Sequence, residues 1–138
     1  MTVHYSDIAL TKDYGNHPSP KGVVLASKAT FTVVSGSEPA IADTIKMNPI
    51  PEGAKVLEVI LEADGGTTSL TLTVGDGTDA DLFISSFSAA AAFLKRTDHA
   101  AVEAVGKEYS ADGHIVITTA GAAMTAEDVY TCVVFYQM

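Results

Sequence analysis

Apolar and polar residues alternate along most of the chain after residue 28, and this alternation limits the fold more than any other feature. KATFTVV (28–34) and TSLTLTV (68–74) place apolar side chains at every second position between polar ones. Successive side chains of a β-strand point to opposite faces, whereas a helix repeats every 3.6 residues. The pattern therefore predicts strands with one buried face. Similar runs are IADTIKM (41–47), KVLEVILEA (55–63), HIVITTA (114–120) and DVYTCVVFYQM (128–138).

Three of these runs lead to specific expectations. In IADTIKM, Asp43 interrupts an otherwise apolar face. In KVLEVILEA, the period of two predicts one face made of Leu57, Val59, Leu61 and Ala63. The opposite face is then made of Val56, Glu58, Ile60 and Glu62. The final run is apolar on both faces, which is typical of a strand at the centre of a sheet or covered by a partner.

Turn-forming segments separate the runs at intervals of about 8–12 residues, the spacing of an all-β sandwich or barrel. With further strands expected near 81–87 and 101–109, the chain has about eight strands, which favours a jelly-roll-like antiparallel β-sandwich. An immunoglobulin-like sandwich is disfavoured because the chain has no tryptophan and a single cysteine. SAAAAFLK (88–95) has a short helix as its alternative, since alanine favours helices. HAAVEAVGKEY (99–109) fits either pattern and is interpreted as a strand.

Residues 1–27 show no clear period and are interrupted by glycine and proline. We interpret them as an extended N-terminal arm in front of a β-sandwich domain of residues 28–138. The arm carries aromatic residues at intervals, and two alternatives follow. It lies on a neighbouring molecule, or it wraps its own domain.

Charge and cysteine content exclude several classes of partner. Charged residues make up 18% of the chain, and the net charge is −9. Nucleic acids and anionic membranes attract Lys/Arg clusters, so neither is an expected partner. Cys132 is the single cysteine, which rules out an intrachain disulfide. The N-terminus lacks the basic and long apolar regions of a signal peptide, so we expect a soluble protein made in the cytoplasm.

VGDGTDADLF (74–83) is the densest group of potential metal ligands. It contains three aspartates, which are Asp76, Asp79 and Asp81. An EF-hand loop needs acidic ligands at positions 1, 3 and 5 and a glutamate at position 12. Counted from Asp76, the acids fall at positions 1, 4 and 6, and Phe87 stands at position 12, so the motif fails. We interpret the segment as a turn made by Gly75, Asp76 and Gly77, with a looser Ca²⁺ site as the alternative.

No catalytic or cofactor site is predicted. The chain has no G-x-S-x-G or P-loop motif, and no two histidines lie within four residues of each other. Residues 57–94 contain six acidic residues and no Lys or Arg. Such an acidic patch keeps a protein soluble or meets a basic partner surface.

The order of these motifs resembles a known family. IPEGAKVLEVILEADGGTTSLTLTVGDGTDADLFI (50–84) is followed by GKEYSADGHIVITTA (106–120) and by VYTCVVFYQM (129–138). A proline–glycine turn, a GAKVLEV strand, a VGD turn, a late Y-S-A-D turn and an aromatic C-terminal strand resemble the head decoration, or cement, proteins of tailed bacteriophages. The resemblance covers roughly residues 30–138 and leaves out the arm.

The resemblance implies a jelly-roll-like structural protein without a catalytic site or cofactor. Such a protein binds the outside of an icosahedral capsid, staples neighbouring major capsid subunits and acts as an oligomer such as a dimer. Within the arm, the residues expected to contact the partner are Tyr5, Tyr14, His17 and Pro18. Two alternatives remain, a carbohydrate- or Ca²⁺-binding jelly-roll module and a phage tail or receptor-binding component.

Overall fold

The computed structural model describes residues 2–6, 24–98 and 105–138, and these residues form ten β-strands and no helix. No helix long and apolar enough to cross a membrane therefore occurs among them. The strands are β1 (Val3–Tyr5), β2 (Val24–Thr32), β3 (Thr44–Ile50), β4 (Lys55–Ala63), β5 (Thr71–Gly75), β6 (Ile84–Ser88), β7 (Phe93–Arg96), β8 (Lys107–Glu108), β9 (Gly113–Ala120) and β10 (Val129–Gln137).

The strands form two sheets that pack face to face. The first, called the β3 sheet, has the order β1-β3-β9-β5-β6, and the second, called the β10 sheet, has the order β2-β10-β4-β7 with β8 beside β4. Neighbouring strands are antiparallel except for β1, which runs parallel to β3. Without the short β1 and β8, the two sheets have the strand order of a jelly roll. The predicted jelly-roll-like sandwich is therefore confirmed.

Apolar side chains from both sheets fill the space between them. Along most of the main strands every second residue points inward, as the alternation predicts, and the exceptions lie at shifts in strand register. A fully buried Ile or Leu side chain contributes roughly 1.5–3 kcal/mol to stability. The largest fully buried apolar side chains come from six different strands and three loops: Val33, Ile45, Met47, Ile50, Leu61, Leu70, Leu72, Phe83, Ile84, Ile115, Ile117 and Tyr130.

The final strand lies at the centre of its sheet. This is one of the two alternatives that the sequence predicts for it, the other being a strand covered by a partner. β10 pairs along its length with β2 on one side and with β4 on the other. Its inner residues are buried, while its outer residues are only partly covered. Packing between the two sheets explains why the inner face of β10 is apolar. It does not explain why the outer face is apolar too.

Strand β4 departs from the predicted alternation at its beginning. The pairing with β10 shifts register because Phe135 faces Glu58 and Tyr136 faces Val56, which leaves Leu57 as the extra residue of a β-bulge. Val56 is therefore fully buried and Leu57 is partly exposed. The predicted inward face is right from Val59 onward and wrong for this first pair.

The alternative of a helix in residues 88–95 is wrong. Residues 93–96 form β7, which pairs with the end of β4. The Phe93 ring contacts the Phe87 ring at a centroid distance of 4.9 Å. Strand pairing and aromatic packing between the sheets therefore outweigh the helix propensity of the alanines. The small alanine side chains cannot bury as much area as the two phenylalanine rings.

A strand is expected near residues 101–109. Among residues 105–109, which the structure describes, the strand is only two residues long. Residues 107 and 108 form β8, which pairs with the beginning of β4. Residues 99–104 lie outside the described residues. Gly106 has a φ of 79°, a left-handed conformation that interrupts a regular strand immediately before β8.

The segment before residue 28 contributes to both sheets. Residues 3–5 form β1 at the edge of the β3 sheet, and β2 begins at Val24 in the β10 sheet. Ser6 donates its backbone N–H to the carbonyl of Lys46 at 2.8 Å and its hydroxyl to the carbonyl of Met47. Residues 7–23 of the expected arm lie outside the described residues.

Candidate functional site

The VGDGTDADLF turn is held together by the side chain of Asp76, which is only 3% exposed. The Asp76 carboxylate accepts the backbone N–H groups of Thr78 at 3.0 Å and Asp79 at 2.9 Å. It also accepts the Lys107 ammonium at 2.9 Å and the Tyr109 hydroxyl at 3.2 Å. The two N–H groups close the turn itself, whereas Lys107 and Tyr109 join it to the segment around β8. We call Asp76, Lys107 and Tyr109 the Asp76 clamp.

The two glycines of the turn serve different purposes. Gly77 has a φ of 87°, the left-handed conformation that glycine adopts without steric cost. A Cβ atom on Gly75 would lie 1.8 Å from the backbone oxygen of Asp79, so only glycine fits this close approach. The interpretation of the segment as a turn made by Gly75, Asp76 and Gly77 is confirmed.

The clamp keeps Asp76 charged. Burial by itself raises the pKa of Asp76, but the Asp79 N–H and the Lys107 ammonium outweigh burial and lower it below its ordinary value. Burial and the Asp76 charge raise the pKa of Tyr109. The carboxylate is therefore an ionised structural acceptor. A groove of about 290 Å³ opens beside it, lined by Asp76, Thr78 and residues 107–113.

The other two aspartates of the turn are at the surface. Asp79 accepts the backbone N–H of Asp81 at 3.3 Å. A hydrogen bond to Asp79 and repulsion from its charge raise the pKa of Asp81. Across residues 2–6, 24–98 and 105–138, no three His, Cys, Asp or Glu side chains are arranged to hold a metal ion.

Asp43 interrupts its predicted strand face because it anchors the N-terminus. Its carboxylate accepts the backbone N–H groups of Thr2 and Ala40, both at 2.8 Å, and contacts Nε2 of His4 at 3.3 Å. The Thr2 carbonyl in turn accepts the N–H of Thr44 at 3.0 Å. The N–H groups of Ala40 and Thr2 lower the pKa of Asp43 to about 2. Asp43 thus adds side-chain contacts to the backbone pairing that holds β1 against β3.

We expect acid to weaken this anchor. A carboxyl whose folded-state pKa is lowered to about 2 from 3.8 stabilises the fold fully above pH 3.8, and the contribution is lost as the pH falls towards 2. Asp43→Asn should therefore melt below the wild type at pH 5, and the gap should close by pH 2. Thermal unfolding across this range measures the gap. Parallel melting profiles would contradict the assignment.

One of the four residues expected to contact a partner lies in the described part of the chain. Tyr5 is on β1, is 44% exposed, and has the Lys46 ammonium 5.6 Å from its ring centroid. Tyr14, His17 and Pro18 lie outside the described residues. Tyr5 is thus available at the surface, at the end of the strand that Asp43 anchors.

Cys132 is buried between the sheets and is not placed for chemistry. Its exposed fraction is 0%, and burial raises the pKa of its thiol above the ordinary value. A reactive cysteine needs partial exposure and a nearby positive charge that favours the thiolate. The residue therefore acts as a small apolar core side chain.

The sequence motifs missed one surface. The outward residues of the β10 sheet include Ile60 and Leu94 beside the apolar outward residues of the last strand. Apolar side chains of three strands therefore share one outward face, with Glu58 and Glu62 among them. The signal that could have revealed it was the last strand, which is apolar on both faces. Its neighbours could not be assigned without the strand order.

Comparison with solved structures shows the same fold in phage capsids. A chain in the capsid of Ralstonia phage GP4 superposes with a TM-score of 0.82 and 20% sequence identity, over 99% of this chain and 98% of that chain. A chain in the acidic stable capsid structure of Helicobacter pylori bacteriophage KHP30 gives a TM-score of 0.60 at 16% identity, over 86% and 90% of the two chains.

A third similar chain belongs to the cyanophage Pam1 capsid asymmetric unit. It has a TM-score of 0.59 and 23% identity, and the match covers 91% of this chain and 95% of that chain. No protein-family model matches the sequence, and no curated protein matches it either. At these identities the likeness establishes a shared fold along nearly the whole chain.

Proposed function

We propose that this chain is a structural virion protein that binds the outer surface of a bacteriophage capsid and cements neighbouring major capsid subunits. The observation that carries the proposal is the superposition on a chain of the Ralstonia phage GP4 capsid, which covers 99% of this chain and 98% of that chain. The shared fold therefore extends over nearly the whole length of both chains.

Features of the molecule support a role that involves binding and no reaction. The carboxylates of Asp43 and Asp76 are occupied by backbone and side-chain donors and serve to fix turns and strands. Rigid turns suit a protein whose shape must match a lattice, since preorganisation lowers the entropy lost on binding.

The proposed partners are the major capsid protein and further copies of this chain. The N-terminal arm supplies one contact in this proposal, through Tyr5, Tyr14, His17 and Pro18. A deletion of residues 1–22 would also remove β1 and the N–H that Thr2 donates to Asp43. Replacing Tyr14, His17 and Pro18 by serine keeps β1 and is the better probe of the arm.

The experiment is to mix the purified protein with capsid shells that lack it. We expect saturable binding to the shells and a higher temperature of shell disruption, because a bound staple adds contacts between subunits. The serine variant of the arm should bind more weakly at an unchanged melting temperature. Failure of the wild type to bind any capsid shell would overturn the proposal.

The two alternatives have their own tests. Mass spectrometry of separated heads and tails distinguishes a head protein from a tail or receptor-binding component. A Ca²⁺- or carbohydrate-binding module is less favoured, because the Asp76 carboxylate in the acidic turn already accepts four hydrogen bonds. Calorimetry with CaCl₂ and a glycan panel would detect either ligand.

A further inference from the structure

The two outward faces of the sandwich differ in chemistry. On the β3 sheet, a row of paired residues across three strands consists of Thr44, Thr118 and Thr73. On the β10 sheet, the corresponding central row consists of Lys28, Val133, Ile60 and Arg96. The first face carries threonine hydroxyls that bond with water, whereas the second places branched apolar side chains at its centre.

The apolar character extends over all four main strands of the β10 sheet. We define the β10 outer face by its apolar members, which are Val24, Ile60, Leu94, Val129, Val133 and Phe135. Leu94 is 58% exposed and Val24 is 53% exposed. The described strands form two layers, and none of them lies over this face. Polar residues share this face, since Thr131 separates Val129 from Val133 and Glu62 is paired with Leu94. Exposed apolar side chains grouped on one face of a sheet indicate an interaction site.

Charge on the β10 outer face is balanced, although the chain as a whole has a net charge of −9. Arg96 and Glu58 form an ion pair at 3.1 Å. The central row also contains Lys28, and the neighbouring row contains Glu62. Their charges are opposite in sign. These four charges cancel, so the face does not select a strongly basic or acidic partner.

The size of the face limits how it can be used. Four strands about 4.8 Å apart and about seven residues long cover roughly 400 Å². A stable interface between two proteins buries about 800 Å² on each partner. The face alone is therefore too small for a lasting pair of two free molecules. It is sufficient as one of several contacts on a lattice, where the first contact raises the effective concentration for the others.

We propose that the β10 outer face docks on an apolar, uncharged patch of the capsid shell. This inference rests on the proposed function and adds the surface through which it is carried out. The acidic loops at the ends of the sandwich remain outside the contact.

The test compares two glutamate substitutions at sites of nearly equal exposure. Leu94 lies on the β10 outer face and is 58% exposed, while Ile41 lies in the loop before β3 and is 59% exposed. Leu94→Glu and Ile41→Glu each add one negative charge, which remains exposed to water in the unbound protein. We expect Leu94→Glu to weaken shell binding at least about tenfold, because it replaces an apolar contact by a charge that docking would desolvate. Ile41→Glu should stay within about twofold of the wild type.

The outcomes separate this inference from the proposed function. If the wild type binds shells and Leu94→Glu binds equally well, the β10 outer face is not the docking surface and the proposed function stands. Equal weakening by both substitutions would show a general charge effect and would also overturn the inference. A free wild-type dimer that Leu94→Glu dissociates, without any loss of shell binding, would assign the face to a second copy instead. Matching thermal melts of the two variants confirm that folding is intact.

Discussion

Replacing Asn48 with alanine is expected to lower the free energy of unfolding by about 2–4 kcal/mol, the cost of leaving buried polar groups without partners. Asn48 is fully buried on β3. Its Nδ2 group donates to the carbonyl and the hydroxyl of Ser27 on β2, at 3.0 and 3.1 Å, and lies 3.2 Å from the carbonyl of Cys132 on β10. One amide group therefore connects the two sheets.

The expected cost is high because alanine removes the donor and leaves the acceptors in place. The Ser27 and Cys132 carbonyls stay near the sheet interface, where water cannot fully replace the amide. Alanine also leaves a cavity between the sheets. For a domain of this size the loss corresponds to a drop in melting temperature of roughly 10 °C.

Ser27→Ala is the matched control for Asn48. It removes the hydroxyl acceptor but keeps the backbone carbonyl that Asn48 also contacts. We expect it to cost less than about 1 kcal/mol, the value of one ordinary hydrogen bond. Urea unfolding of the three proteins measures both differences. If Asn48→Ala were as stable as Ser27→Ala, the amide would not be what joins the sheets.

Replacing Asp76 with alanine is expected to cost about 3 kcal/mol, because a partly buried, charge-assisted hydrogen-bond network loses its acceptor. The backbone N–H groups of Thr78 and Asp79 lose their partner in the turn. The Lys107 ammonium and the Tyr109 hydroxyl lose the group that attaches the β8 segment. The turn and this segment should therefore loosen together, which hydrogen exchange of both regions would detect.

Asp81→Ala is the control for the clamp. Asp81 is exposed in the same turn, and its pKa is raised by the neighbouring Asp79. Removing it relieves repulsion and leaves the clamp intact, so stability should change by less than about 0.5 kcal/mol. Addition of CaCl₂ should leave the wild-type melting temperature unchanged. A large Ca²⁺-dependent rise that Asp76→Ala abolishes would show that the turn is a metal site after all.

The alternation of KATFTVV and TSLTLTV was sufficient to predict the β-sandwich, because it reports directly which face of each strand is buried. The same holds for the turn at Gly75–Gly77, where the residue types themselves permit the geometry. Two predictions from the sequence were wrong for the same reason, namely the faces at the start of β4 and the helix in residues 88–95. The bulge at Leu57 and the strand at 93–96 both arise from pairing with residues far away in the sequence.

The candidate sites were less predictable than the fold. Asp43 was recognised as an exception in its strand, but its partners Thr2 and His4 lie about 40 positions earlier, so no local pattern could identify them. Asn48 gave no signal, because a single asparagine next to a proline is typical of a turn. The β10 outer face required the strand order, since its members come from four separate strands.

The sequence by itself determined the all-β class, the approximate number of strands and the geometry of the acidic turn. Each of these depends on neighbouring residues, through side-chain period and backbone conformation. The tertiary structure decided the strand order, the bulge, the anchoring of β1 and the polar connection between the sheets. These depend on pairing between distant segments, and the alternation within one strand is compatible with many partners and registers.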